Sequence, residues 1–386
     1  MIDVDVLIIG CGMAGLVAAR KISESNLSTM IVSTGLGSTV LSSGTIDLIG
    51  YFDGGEVRKP IETLDEFISQ NPSHPYAVVG RERVLKAFQE FNEKYDSFIR
   101  YEGNLEKNMT LLTPLGLFKP TLLAQSSMIA GKRENLEGSK VLVVGFRNLL
   151  NHTPALIAKS LKENWGIDAD YIKLDRSETQ PVQLALLLET NREDIIKNLN
   201  EYNLGNYDYL AFPPVLGIRQ TGEILSEFED SLGAKVFETM SFPPSVPGLR
   251  LQQLLEHPCI QNGVEIRLGW RAIEIKTIKQ GCQTQVAEDD NRQEISSKAV
   301  IVATGQIMRD EINITSEKNF QGSINPQILE YLNTDKEMRL IYEGKSFEHV
   351  FVAGSALSEK NMTGLGTPLS TGYASATEVI NYLRRN

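Results

Sequence analysis

Cysteine is scarce in this chain: Cys11, Cys259 and Cys282 are the three copies among 386 residues. Their odd number and wide spacing exclude a disulfide framework and offer no iron–sulfur or zinc ligand set, so no metal site is expected. Histidine is also sparse, with four copies, which leaves few candidates for proton transfer near neutral pH. The roughly eighteen consecutive apolar residues that a membrane helix needs are absent. The apolar start at Val4–Ile9 has Asp3 and Asp5 around its first residue and a glycine turn after it, so it reads neither as a signal peptide nor as a span, and a reducing cytoplasm is the expected location. Positive charge is in deficit. Against 49 Asp and Glu stand 38 Lys and Arg, a net charge of -11 that repels phosphate backbones and anionic lipid alike and excludes nucleic acid as a partner.

What is present begins at the first strand. Val4–Ile9 predicts a strand buried on both faces, Met13–Ser25 a helix, and Ser28–Ser33 a second strand, which together make a βαβ unit. Gly10, Gly12 and Gly15 fall at the turn between the first two with the spacing of a dinucleotide fingerprint. Gly10 makes the tight turn, Gly12 lets backbone reach a pyrophosphate, and Gly15 lets the helix pack on the strand. The helix N-terminus adds unpaired N–H groups and partial positive charge. This context is what the motif requires, and it predicts an α/β, Rossmann-like nucleotide-binding fold of the FAD/NAD(P)-binding kind. The usual ribose-binding Asp or Glu at the end of the second strand is missing: the sequence there is Ile31-Val32-Ser33-Thr34, leaving Ser33 or Thr34 to bond a ribose.

The nucleotide-binding pattern then breaks off and returns. Helices and isolated strands between residues 61 and 239 predict an inserted α/β domain for substrate or partner. Residues 1–60, 240–305 and 346–386 predict a discontinuous flavin-binding domain of the two-dinucleotide-binding-domain type, with 306–345 as an additional segment. Its late strands end in Ala303-Thr304-Gly305 and Ala353-Gly354-Ser355, which favours flavin over NAD and places Thr304, Gly305, Gly354 and Ser355 beside the cofactor. The loop Thr363–Pro368 precedes the last helix, so the backbone at Gly366 and Thr367 is expected to meet the flavin where negative charge develops on reduction. The Gly/Ser-rich loop after the second strand predicts that Ser42, Ser43 and Gly44 also line it.

Several stretches together resemble the B subunit of anaerobic glycerol-3-phosphate dehydrogenase: Leu41-Ser42-Ser43-Gly44-Thr45-Ile46-Asp47-Leu48, His74-Pro75-Tyr76, Thr113-Pro114-Leu115-Gly116, the run Phe242-Pro243-Pro244-Ser245-Val246-Pro247-Gly248-Leu249-Arg250-Leu251-Gln252, and Val352-Ala353-Gly354-Ser355. The resemblance implies a flavoprotein subunit that works with a second FAD-bearing catalytic subunit and a membrane-bound iron–sulfur subunit, oxidising glycerol 3-phosphate to dihydroxyacetone phosphate and sending electrons to quinone. It implies a cytoplasmic chain held at the inner face of the membrane by its partners. It also implies FMN, which agrees with the missing ribose carboxylate, whereas the fingerprint accepts FAD.

Alcohol oxidation needs a base for the hydroxyl proton and a cation for the phosphate. His74, in the rigid loop Asn71–Tyr76, is the candidate base, with a loop cap as its bland role. Arg250 is the candidate anion binder, because a proline-stiffened run holds a guanidinium of the right geometry. With so thin a catalytic inventory two other functions stay open: a stand-alone flavoenzyme of the fumarate-reductase or ketosteroid-dehydrogenase type, and a flavin electron-relay subunit with no substrate of its own.

Overall fold

The computed structural model describes residues 2–95, 97–305, 312–316, 332–357 and 364–385. In chain order, the elements that matter for the site are β1 (Ile2–Cys11), α1 (Met13–Ser23), β2 (Thr29–Leu36), α2 (Pro75–Val79), α3 (Arg81–Lys94), β3 (Lys140–Phe146), α4 (Pro154–Trp165), β4 (Asp168–Leu174), α5 (Pro181–Thr190), β5 (Tyr209–Phe212), α6 (Thr221–Leu232) and β6 (Lys235–Glu238). They continue with α7 (Val246–Gln261), β7 (Glu265–Leu268), β8 (Arg271–Ile278), β9 (Gly281–Glu288), β10 (Asn291–Val302), β11 (Lys345–Val352) and α8 (Gly366–Arg385). Two compact units result. The first comprises Met1–Thr39, Leu64–Phe91 and Leu255–Asn386; the second comprises Val40–Thr63 and Asn92–Leu254.

The first unit is built on a sheet in the order β7-β2-β1-β10-β9-β8, in which β1 lies parallel to both β2 and β10. Val6, Leu7 and Ile8 are fully buried, as a strand covered on both faces requires. β10 has two partners in succession: its first half pairs antiparallel with β9, and Val300–Val302 pair parallel with β11. The carboxyl ends of β1, β10 and β11 therefore share one edge. α8 packs on α1, so closely that a Cβ on Gly372 would lie 2.4 Å from the Ala14 carbonyl oxygen.

The domain boundaries expected from sequence need correction. Residues 64–91 belong to the nucleotide-binding unit, because α3 buries Val84, Ala87, Phe88 and Phe91 there. Ion pairs fix it: Arg83 to Glu378 of α8 at 2.8 Å, and Lys21 of α1 to Glu90 at 2.9 Å. Residues 40–63 and 240–254, expected with the flavin, fall in the second unit. There Thr45 pairs with Ala124, and Asn108 donates to the carbonyls of Ile49 and Val57 at 2.8 and 2.7 Å. Most of the expected additional segment 306–345 lies outside the described residues, as does Thr363.

The second unit holds a four-stranded parallel sheet in the order β4-β3-β5-β6. After β4 the chain crosses to the other side of β3, a topological switch point of the kind that opens a ligand crevice at the strand ends. Here apolar side chains occupy that position. Leu149 after β3, Val215 and Leu216 after β5, and Leu184 and Leu188 of α5 are buried in one core cluster.

A glycine-lined site at the sheet edge

The fingerprint glycines answer to different demands. Gly10 has φ +117, and a Cβ there would stand 2.3 Å from the Ala303 carbonyl oxygen. At Gly15 a Cβ would stand 2.0 Å from the Gly10 carbonyl oxygen. Both are required by the chain's own packing. Gly12 is not: its φ is -85, and an added Cβ would meet only the Gly37 Cα at 3.7 Å and the Thr39 hydroxyl at 3.9 Å, ordinary contacts. A glycine that the fold does not need, at the start of α1, fits a position kept bare for an external group.

Two residues that the sequence reading missed complete this cradle. A Cβ on Gly37 would press to 2.3 Å from the Gly12 Cα, and the Thr39 hydroxyl accepts from the Met13 N–H at 2.9 Å. Thr39 is buried with its own hydroxyl hydrogen still to donate, so a phosphate at the α1 N-terminus would find a donor beside the backbone amides.

The expected strand-end residues do converge. A Cβ on Gly305 would lie 3.6 Å from the Ser355 hydroxyl, and one on Gly354, whose φ is +78, would lie 3.1 Å from the Ala14 Cβ. The Gly354 N–H donates to the Thr371 hydroxyl at 2.8 Å, which ties this turn to the first turns of α8, where Gly366 and Thr367 sit. Thr304 carries a buried hydroxyl oxygen with no hydrogen-bond partner. An orphaned hydroxyl at the mouth of a glycine cradle is a second reason that a polar cofactor fits here.

Beside Gly10 opens a cleft with about 330 Å³ of empty space, part of it open to solvent. Ser33, Thr34, Trp270, Arg271 and Thr304 are among the residues that line it. The Ser33 hydroxyl donates to the Gly35 carbonyl at 2.8 Å, and the Trp270 N–H donates to the Ser33 carbonyl at 3.2 Å. Among the described residues, no carboxylate lines the cleft.

The remaining expected residues lie elsewhere. His74 caps α2: its Nδ1 accepts from the Tyr76 N–H at 3.1 Å, and burial pushes its pKa down to about 4. The structure thus gives it the capping role. Arg250 as an anion binder is corrected outright. It is fully buried and forms a two-bond ion pair with Glu238, at 2.6 and 2.9 Å. Its other three N–H groups go to the Gly217 carbonyl, at 2.9 and 2.6 Å, and to Gln125 at 3.2 Å, so all five donors are committed. Glu238 in turn accepts from Ser127 and from the Leu216 N–H, each at 2.6 Å.

Ser42, Ser43 and Gly44 lie in the second unit, where two stretches that carry the family resemblance meet. The Ser245 hydroxyl donates to the Ser42 carbonyl at 2.5 Å, and a Cβ on Gly44 would stand 2.3 Å from the Pro247 Cβ. Ser43 and Thr45 hydroxyls bond at 2.9 Å, while the Ser42 hydroxyl oxygen is buried with no partner.

The family model for the FAD binding domain matches residues 5–264. The B subunit of anaerobic glycerol-3-phosphate dehydrogenase from Pectobacterium atrosepticum is 33% identical over 284 residues, which cover 70% of this chain and 67% of that protein. The protein of the same name from Yersinia pestis is 25% identical, with 98% of each chain covered. Among solved structures, Thermovibrio ammonificans THI4 aligns over 99% of this chain and 90% of its own, at 10% identity and a TM-score of 0.41. With its glycine cradle, its match to the FAD binding domain and these relatives, the chain belongs to the flavoprotein family formed by the B subunits of anaerobic glycerol-3-phosphate dehydrogenase.

Proposed function

We propose that this chain is the flavin-carrying B subunit of a multisubunit glycerol-3-phosphate dehydrogenase. It takes part in the oxidation of glycerol 3-phosphate to dihydroxyacetone phosphate, and the electrons pass through partner subunits toward a membrane quinone. The observation that carries the reading is the bare Gly12 beside Gly37 and Thr39, at the N-terminus of α1, in a chain whose relatives bear that name. Oxidising a secondary alcohol removes a hydride and a hydroxyl proton, and a bound flavin supplies the hydride acceptor. The chain's own contribution is to hold phosphate oxygens on the Gly12 amide and on the Thr39 hydroxyl, which the Met13 N–H holds in place. It also presents the turns Thr304–Gly305 and Gly354–Ser355, with the backbone at Gly366 and Thr367, to the rest of the cofactor.

The partners in this reading are a second FAD-bearing catalytic subunit and an iron–sulfur subunit in the membrane. Among the described residues no helix is long and apolar enough to cross a membrane, and no group of His, Cys, Asp and Glu could hold a metal ion. In this proposal electrons leaving the chain go to a partner at the cytoplasmic face. Ser42, with its partnerless hydroxyl, and its neighbours Ser43 and Gly44 are retained as further cofactor contacts; Ser42→Ala tests this through loss of bound flavin.

A second reading, the electron-relay subunit, gains from a specific observation: both candidates for substrate chemistry are engaged, His74 as a helix cap and Arg250 in an ion pair. The experiment that separates the two is anaerobic addition of glycerol 3-phosphate to the purified chain while the flavin absorbance is followed. Bleaching of the isolated chain supports substrate oxidation here. Bleaching that waits for the catalytic partner supports the relay, and a preparation with no flavin refutes both.

A further inference from the structure

The second unit carries an uncharged apolar face at the carboxyl end of its parallel sheet, left exposed by the rest of the chain. Resting on the multisubunit reading above, we propose that this face is the docking surface for a different protein chain, the catalytic partner subunit, which covers it with an uncharged apolar face of its own.

Three stretches of sequence build it. Residues 148–156 follow β3, residues 239–249 follow β6, and residues 112–117 form the turn of the hairpin Met109–Leu112 and Phe118–Thr121. Hydrogen bonds stitch them together. The Met240 N–H donates to the Leu112 carbonyl at 2.9 Å, and the Asn151 side-chain amide donates to the Pro243 carbonyl. α4 backs the hairpin turn, where the Ser160 hydroxyl donates to the Gly116 carbonyl at 2.8 Å.

Composition is the first argument. These 26 residues contain no Asp, Glu, Lys or Arg, whereas the chain's 23% share of charged residues predicts about six. Five of the thirteen large apolar side chains exposed among the described residues stand on them: Leu115, Leu117, Leu150, Leu156 and Phe242, each 41–49% exposed. Charge resumes at the margin, with Lys119 beyond the hairpin turn and Arg147 and Lys159 on either side of the second stretch. An uncharged centre with a charged rim is the anatomy of a protein–protein interface.

Rigidity is the second. The Thr113 N–H donates to the Leu117 carbonyl at 2.8 Å and closes the turn that carries Leu115, while Pro243 and Pro244 stiffen the segment after Phe242. Apolar side chains fixed on closed turns stay in water until a partner covers them, and little ordering is left for docking to supply.

Charge identifies the occupant. Two copies of a chain with net charge -11 repel one another; anionic lipid is repelled as well and finds no Lys or Arg within the face. A different chain need not share that charge. The face also adjoins residues 42–44, since the Ser43 carbonyl accepts from the Ser241 N–H at 3.4 Å. A partner seated here stands beside the residues retained above as further cofactor contacts, where an acceptor of this chain's electrons has to be.

The test uses the full-length protein with its bound flavin and the purified FAD-bearing catalytic subunit, with affinity read by biolayer interferometry. Leu115→Glu and Phe242→Lys place a charge on the face, and each is expected to weaken binding roughly thirtyfold or more while leaving melting temperature and flavin content unchanged. Leu186→Glu, at a 49% exposed position on α5 of the same unit, should bind as wild type does. Hydrogen exchange of the wild-type protein, with and without the catalytic subunit, should show protection of residues 112–117 and 239–249, a readout that needs no variant. Wild-type affinity in both charged variants, or no protection of those residues, overturns the proposal and leaves the subunit reading standing. So does a wild-type homodimer that both variants dissolve, or binding to phosphatidylcholine vesicles that both variants abolish. A catalytic subunit that binds nowhere on the wild-type chain overturns both.

Discussion

Gly12→Ala is the sharpest probe of the cradle, because the structure predicts that it separates cofactor binding from folding. The backbone at Gly12, with φ -85, is open to alanine, and the nearest atoms to the new methyl are 3.7 and 3.9 Å away. Folding stability should change by less than about 1 kcal/mol, because alanine's poorer capping and its smaller loss of unfolded-chain freedom oppose each other. For a phosphate the methyl occupies the space through which backbone donors reach it. Loss of one charge-assisted hydrogen bond is about 1.5–3 kcal/mol, which is roughly a 10- to 150-fold rise in Kd. Gly10→Ala serves as the contrast, since its Cβ would stand 2.3 Å from a carbonyl oxygen at positive φ, and the variant should lose stability as well as flavin. The assay pairs thermal unfolding with flavin content after gel filtration. A Gly12→Ala protein that folds and keeps its flavin with undiminished affinity would refute the placement of the phosphate.

Three other outcomes follow from the same reasoning. Arg250→Met strands the Glu238 carboxylate among buried groups, with Ser127 and Leu216 as its remaining donors; the second unit should lose about 3–5 kcal/mol in chemical denaturation, and an unchanged stability with a raised KM for glycerol 3-phosphate would restore the anion-binding role. Burial pushes the pKa of His74 down to about 4 and that of His152 to about 3, against an ordinary 6.5, so the unfolded chain takes up protons that the folded chain refuses; stability should be full above pH 6.5 and fall as pH drops from 6.5 toward 3, and His152→Leu, which removes two partnerless ring nitrogens, should flatten that slope without lowering stability at pH 8. Glu189 accepts from the N–H groups of Ile218, Arg219 and Gln220 at 2.7, 2.5 and 3.1 Å; burial alone would raise its pKa, but these donors hold it below the usual value, so Glu189→Gln should destabilise the second unit by about 1–2 kcal/mol at neutral pH, measured by denaturant midpoint.

The local part of the cofactor cradle was legible from the chain alone. Gly10, Gly12 and Gly15 sit within one turn of each other, and the strand before them and the helix after them follow from short-range patterning. His74 followed by Pro75 was legible as a cap for the same reason. Gly37 and Thr39 carry no such local signal, since their closeness to Gly12 comes from the way β2 returns alongside β1. Trp270 and Arg271 are farther still along the chain and reach the cleft because β7 pairs with β2. Arg250 was misread because exposure is invisible in a proline-stiffened run; its partner Glu238 ends a four-residue strand too short to announce itself. The parallel sheet of the second unit was half seen. β3 and β5 are short apolar runs that are almost wholly buried, whereas β4 alternates with exposed positions and carries Asp168, Asp170 and Lys173, as an edge strand does. Between β4 and β5 stand two helices, Pro181–Thr190 and Glu193–Asn200, the first beginning at a proline in its first turn.

The carboxylate of Glu189 at the start of α6 acts as a tethered competitor. Any phosphate or sulfate approaching those three amides must displace a group already attached to the same molecule, whose local concentration no ordinary buffer matches. Inorganic anions added to the protein should therefore leave the second unit's melting untouched. A rise in melting temperature with phosphate would then be a signal from the glycine cradle of the first unit, which makes simple buffer exchange a way to see that cradle at work before any flavin is supplied.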